Sequence, residues 1–191
     1  MSNEPATVRS REATLQELLV VRCQLGEPEA FDELVDRWHL PIWRYVRRLI
    51  SRDDDAEEVT QDVWLRILRG ILVVADPARL PAWIFTIARR AVMDRLRVRY
   101  AQAPLVPLEE EPAGLLGTEE PDLRWMDEEI LEQALLDLSP MERDVLVLFH
   151  LQELTLREVA EVLGVPTGTV KSRLSRARVA LEQRLRAKGA R

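Results

Sequence analysis

TLREVAEVLGVPTGTVKSRLSRARVALEQRL, residues 155–185, has the pattern of a helix-turn-helix. Ala160, Gly164 and Val170 fall four and then six apart. They supply a small residue where two helices touch, a glycine able to take positive φ in the turn, and an apolar anchor for the second helix. Thr155 followed by Glu158 is a capping box that starts the first helix, and Thr167 is placed to cap the second after Val165-Pro166. On the second helix Val170, Leu174, Ala177, Leu181 and Leu185 share one stripe at about 100° per residue, which is the core side. Ser172, Ser175 and Arg176 stand opposite, flanked by Lys171 and Arg173. Long cations can meet guanine edges or phosphates, and Thr169 and the serines can bond phosphates near the helix N-terminus, so this face suits a DNA major groove.

Working outward, 191 residues are comfortable for two small domains. Seven glycines, few aromatics and abundant Leu, Ala, Arg and Glu predict an all-α chain. Cys23 is the only cysteine, which excludes an internal disulfide and a cysteine-based zinc cluster, and its neighbours Leu19, Val20 and Val21 predict a buried thiol. The N-terminus lacks a basic-then-apolar signal, and no apolar run approaches the roughly 18 residues of a membrane span, so the chain is expected in the cytoplasm. The net charge of −6 hides a segregation. Basic residues gather from Arg89 to Arg99 and from Arg157 to Lys188, and acidic ones from Asp53 to Glu58 and from Glu109 to Glu132. A protein that touches DNA at two basic surfaces and another partner with acidic ones would look like this.

Residues 1–10 have no periodicity and are expected to form a disordered tail ahead of a first domain over 11–100. Leu15, Leu18, Leu19 and Val21 predict a helix from Glu12 to Gln24, ended by Gly26. Pro28 opens a second, with Phe31, Leu34, Val35 and Trp38 at helical spacing, interrupted or kinked at Pro41 before Ile42, Tyr45, Val46, Leu49 and Ile50 continue. In SRDDDAEEVTQDVWLRILRG, Val59, Val63 and Ile67 mark an amphipathic helix whose first turn is crowded with acids. Complementing the helix dipole accounts for these acids at about 0.3–1 kcal/mol per charge. They point around the helix instead of converging, and His39 and His150 have no ligand clusters near them, so no metal site is expected. A long helix from Ala82 to about Tyr100 buries Ile84, Phe85, Ala88, Val92 and Leu96. Trp83, Thr86, Arg90, Asp94 and Arg97 share its other face. An aromatic beside arginines suits single-stranded nucleic acid, although a Trp at a helix start also serves as a lid on the core.

Residues 101–122 carry four prolines and the run Glu109-Glu110-Glu111, an acidic extended linker. Helices return over 123–191, first from Leu123 to Leu138 and then behind Ser139-Pro140-Met141-Glu142, a second capping box with proline at N1. The expected architecture is therefore all-α: two small helical domains joined by an acidic, proline-containing linker, the second ending in the helix-turn-helix.

With both ends in view, the chain resembles the extracytoplasmic-function (ECF) sigma factors of bacterial RNA polymerase over about residues 15–186. The resemblance rests on DAEEVTQDVWLRI at 55–67, WIFTIARRAVMDRLR at 83–97, LSPMERDVLVL at 138–148 and LREVAEVLGVPTGTVKSRLSRAR at 156–178. It implies a first domain (sigma region 2) that grips core polymerase and reads the −10 promoter element, and a second (sigma region 4) that reads the −35 element. Asp55, Glu58, Gln61, Asp62 and Trp64 match the family's polymerase-binding segment. Trp83, Thr86, Arg89, Arg90, Arg95 and Arg97 lie where the family contacts −10 DNA, and Thr169, Lys171, Ser172, Arg173, Ser175 and Arg176 where it reads the −35 duplex. Arg90 departs from the pattern, since the family commonly has asparagine there. The resemblance further implies no catalysis and no cofactor; the partners are core RNA polymerase, promoter DNA and an anti-sigma factor. A two-domain repressor would need a ligand pocket or dimer helix where this chain has its acidic and Trp-Arg helices, and an all-helical enzyme would need convergent catalytic groups that the sequence does not offer.

Overall fold

The computed structural model describes residues 4–100 and 128–188, and among these every regular element is helical. The first half holds α1 (Glu4–Gln24), α2 (Pro28–Leu49), α3 (Asp53–Gly70) and α4 (Leu80–Tyr100), with 3₁₀ turns at Ile71–Val73 and Pro77–Arg79 between α3 and α4. The second holds α5 (Glu128–Leu136), α6 (Pro140–Leu146) running into a π turn over Val147–Leu151, α7 (Leu156–Leu163) and α8 (Thr167–Ala187). The acidic linker lies outside the described residues, as do residues 1–3.

α1 starts well ahead of its expected boundary: residues 4–10, read from sequence as a disordered tail, continue the helix. Pro5 is compatible with this because it falls in the first turn, where its missing N–H would have no partner anyway. α1 ends at Gly26, whose φ of +77° is the left-handed conformation a glycine accepts without cost. Its buried face matches the expected one at Leu19 and Cys23 and differs elsewhere. Leu19, Val20 and Cys23 are in the core, while Leu15, Leu18 and Val21 are exposed. Burial pushes the Cys23 thiol above its ordinary pKa, in keeping with a packing role.

α2 runs unbroken through Pro41 and buries Ala30, Leu34, Trp38, Ile42, Tyr45, Val46 and Leu49 on one side. Of the two expected outcomes, interruption or a kink, the first does not occur, and the stripe stays in register on both sides of the proline. α3 buries Ala56, Val59, Val63 and Ile67, and α4 buries the five residues expected of it. In the second half, both capping boxes form: Ser139 Oγ accepts from the Glu142 N–H while Glu142 accepts from Ser139, and Thr155 and Glu158 do the same. Thr167 is not a cap. It is the first residue of α8, with Pro166 at the cap position and no side-chain bond there.

The two halves pack directly on each other. α4 lies along α7, and α2 touches α5 and α6, so a continuous apolar core runs from Leu19 to Leu185. Three polar or charged side chains are buried among the described residues, Thr60, Arg143 and Asp144. Two of them are in α6, at the seam between the halves.

Candidate nucleic-acid interface

α7 and α8 meet at Gly164, which has φ +68° and closes α7 through its N–H to the carbonyls of Ala160 and Glu161. All five residues of the expected core stripe of α8 are buried, which fixes the opposite face outward. Lys171 is exposed, and Thr169, Ser172, Arg173, Ser175 and Arg176 are half-buried. Ser172 Oγ donates to the Thr169 carbonyl at 3.0 Å, so its hydroxyl is held close to the helix. Further along, Arg178 lies over the Phe149 ring at 5.6 Å and its Nε reaches His150 Nε2 at 3.2 Å, which ties α8 to the π turn. His150 is thus a packing residue, and among the described residues no group of histidine, cysteine or acid side chains could hold a metal ion.

On α4 the expected −10 residues divide. Arg90 and Arg97 are exposed, Arg97 resting on Asp94 at 3.2 Å. Trp83 is half-buried with its ring over the end of α3: a Cβ added to Gly70 would come within 2.9 Å of its Cζ2. It is therefore seated as a lid on the core. Thr86 turns its hydroxyl back to the Ala82 carbonyl at 2.7 Å. Arg95 reaches across to α3, pairing with Glu58 and with Asp55 at 3.6 Å. Arg89 points away from Arg90, into the seam.

The acidic face of α3 is correspondingly engaged. Asp55 and Glu58 hold Arg95, and Asp62 pairs with Arg66 at 2.6 Å. Gln61 is exposed. Trp64 stacks on His39 and donates to its Nδ1 at 3.2 Å. The three groups of expected site residues thus lie on three surfaces, with Arg95 bridging two of them.

The sequence reading missed the polar cluster in the seam. Asp144 of α6 has a side chain 2% exposed; its Oδ1 accepts from the Tyr45 hydroxyl of α2 at 2.8 Å, and its Oδ2 from Arg89 Nε of α4 at 2.8 Å. Burial raises the Asp144 pKa above its ordinary value, against the attraction of Arg89, the bonds from Arg89 and Tyr45, and a weaker pull from Arg173. Burial, followed by the adjacent carboxylate, likewise holds the Tyr45 phenol well above its ordinary value. Next to it, Arg143 donates to the Arg48 carbonyl of α2 at 3.2 Å and to the carbonyls of Leu136 and Leu138 at 2.8 and 3.1 Å. One signal was available in LSPMERDVLVL, where Asp144 lies four residues before Leu148 and so stands on the apolar stripe.

Two helical units, one carrying a helix-turn-helix and the other a helix bearing exposed arginines, make an all-α protein of the kind that binds nucleic acid. Family models agree on both: sigma-70 region 2 matches residues 34–101 and sigma-70 region 4 matches residues 128–181. The chain is 32% identical over 160 residues to the ECF RNA polymerase sigma factor SigM of Mycobacterium tuberculosis, covering 84% of this chain and 79% of that one. It is 29% identical over 174 residues to SigW of Bacillus subtilis, covering 84% and 91%. In fold it is similar to the sigma factor RpoE of Bartonella quintana, solved with the anti-sigma factor NepR (TM-score 0.66, 24% identity, 82% and 96% covered). CnrH, solved with the cytosolic domain of CnrY, is a second such neighbour (0.65, 23%, 90% and 97%). The chain belongs to the ECF sigma factors, the promoter-recognition subunits of bacterial RNA polymerase. No described helix is long and apolar enough to cross a membrane.

Proposed function

We propose that α8 reads the −35 duplex with Thr169, Lys171, Ser172, Arg173, Ser175 and Arg176, and that α4 meets the −10 element chiefly through Arg90 and Arg97. The observation carrying this reading is the outward face of α8, which groups cations and hydroxyls opposite a fully buried stripe. A groove-reading helix needs its long donors together and its backbone anchored from behind, and α7 supplies that anchor. Trp83, Thr86, Arg89 and Arg95 take a different part in the free protein: they pack or pair, and reach DNA only after those contacts are released. Asp55, Glu58, Gln61, Asp62 and Trp64 form the surface for core polymerase, where negative charge steers docking onto a basic partner. The chain works in the cytoplasm without catalysing a reaction, and an anti-sigma factor that holds both halves is a fitting regulator.

Reconstitution with core polymerase tests this. Promoter-specific initiation is expected on adding the chain; a protein that only blocks transcription would be a repressor, and the proposal would fall. Within that assay Arg90→Asn is expected to change the preferred −10 base more than it changes polymerase binding. Arginine offers only donors on a long fork, whereas asparagine offers a donor and an acceptor on a short arm. Promoters randomised across the −10 element read the difference, and identical preferences would mean that Arg90 does not read a base.

A further inference from the structure

We propose that the Tyr45–Asp144–Arg89 cluster is an interdomain latch that holds the two regions closed in the free protein and keeps Arg89 of α4 engaged. The proposal rests on the functional reading above for the roles of α4 and α8, but the latch itself is a matter of geometry. One carboxylate of the second half is enclosed by two donors from two different helices of the first, each at 2.8 Å. The Tyr45 ring is fixed by an edge-on contact with Phe85 of α4 at 5.4 Å, so its hydroxyl is aimed before Asp144 arrives. Arg143 adds a bond to the Arg48 carbonyl, and at the rim Arg79 pairs with Glu161 of α7.

The same carboxylate withdraws Arg89 from the outer face of α4, so closure takes one arginine of that helix out of reach. The latch is specific more than strong. Burying an ionised carboxylate costs much of what its partners return, and opening the seam gives Asp144 back to water. A closed state of this kind sets register and yields readily to a partner that separates the halves. If the open form is about a tenth of the population, apparent affinity for a ligand of the open form is lowered about tenfold.

The test uses the full chain, small-angle scattering, and anisotropy with a short mixed-sequence duplex. Asp144→Lys sets a cation against Arg89; it is expected to enlarge the radius of gyration and raise duplex affinity about tenfold. Asp137→Lys makes the same change of charge outside the seam, on an exposed residue paired with Lys188, and is expected to stay compact and gain far less. Tyr45→Phe removes only the hydroxyl and is expected to speed hydrogen exchange where α4 meets α7. An Asp144→Lys protein as compact as the wild type, or one that gains no more affinity than Asp137→Lys, overturns the latch. Should Asp144→Lys fail to fold, Tyr45→Phe decides, and unchanged exchange along the seam overturns it. Failure of the wild type to initiate with core polymerase would remove the functional reading while leaving these measurements of closure intact.

Discussion

Gly164 and Gly168 lie four residues apart and should respond to alanine in opposite directions. Neither has an atom within 4 Å of an added Cβ, so the backbone alone decides. Gly164 has φ +68°, and Gly164→Ala is expected to cost about 1–2 kcal/mol in urea unfolding. Gly168 is in the first turn of α8, where alanine is still the better helix former but by less than in a helix interior, and Gly168→Ala is expected to gain about 0.5 kcal/mol. Losses at both positions would mean that the turn is held by something besides its backbone geometry. Asp144 gives a prediction with a sign fixed by its surroundings. Burial raises its folded-state pKa above the ordinary 3.8, despite Arg89, Tyr45 and Arg173. The folded protein therefore resists ionising a group that ionises freely when unfolded. Stability from this group is present below the ordinary value and is lost as pH rises through the folded one. Asp144→Asn lacks that loss, so its stability relative to the wild type should improve as pH climbs from below 4 toward neutrality. Denaturation across that range measures it, and a difference that runs the other way would mean that Arg89 outweighs burial.

Among elements, the acidic helix has one role the structure shows, pairing with Arg95 and Arg66, and one proposed for it, docking on core polymerase. Reversing Asp55, Glu58 and Asp62 to Lys should reduce association with core polymerase at least about tenfold, the steering term for a rim of charge. The structure adds a cost that the sequence did not reveal: the new lysines would face Arg95 and Arg66. Exposed pairs are worth about 0.2–1 kcal/mol each, and with the dipole terms the triple variant should lose on the order of 2 kcal/mol while staying folded. Arg95→Gln separates the effects, because it breaks the pairs at Asp55 and Glu58 and keeps the acids. An equal loss of polymerase binding in that variant would move the role from the acids to the pairing. The sequence made some elements legible and not others for physical reasons. Capping boxes at Ser139 and Thr155 and the stripe of α8 are local, and each formed as read. The face of α1 was misread only in part: Leu19 and Cys23 are buried as expected, but Leu18-Leu19-Val20-Val21 is an unbroken apolar run, so periodicity does not choose Val20 over Leu18 and Val21. At α8 the helix starts one residue early for the expected cap: Thr167 is already its first helical residue, and Pro166 holds the cap position with no side-chain bond.

For the whole molecule, the decisive contacts span 99 residues from Tyr45 to Asp144 and 55 from Arg89, and no periodicity carries information over such a distance. That is why the three surfaces of the candidate site could be named from motifs, while the withdrawal of Arg89 and Arg95 from solvent could not. The free protein is expected to bind promoter duplex poorly, on either of two accounts. One is repulsion, from a net charge of −6 and the acidic run Glu109-Glu110-Glu111. The other is closure at Asp144. They differ in range: a repulsion acting through water is screened beyond about 8 Å at physiological salt, whereas a buried carboxylate 2% exposed is hardly screened at all. Replacing Glu109, Glu110 and Glu111 by Gln is therefore expected to raise duplex affinity less than about threefold near 0.15 M salt, with a larger gain as salt is lowered. Opening the latch should give its roughly tenfold gain on top of whatever the removed charge contributes. Anisotropy of the glutamine variant against Asp144→Lys over a salt series compares the two directly. A gain from the glutamines equal to that of Asp144→Lys at physiological salt would make repulsion sufficient and closure unnecessary to explain weak binding.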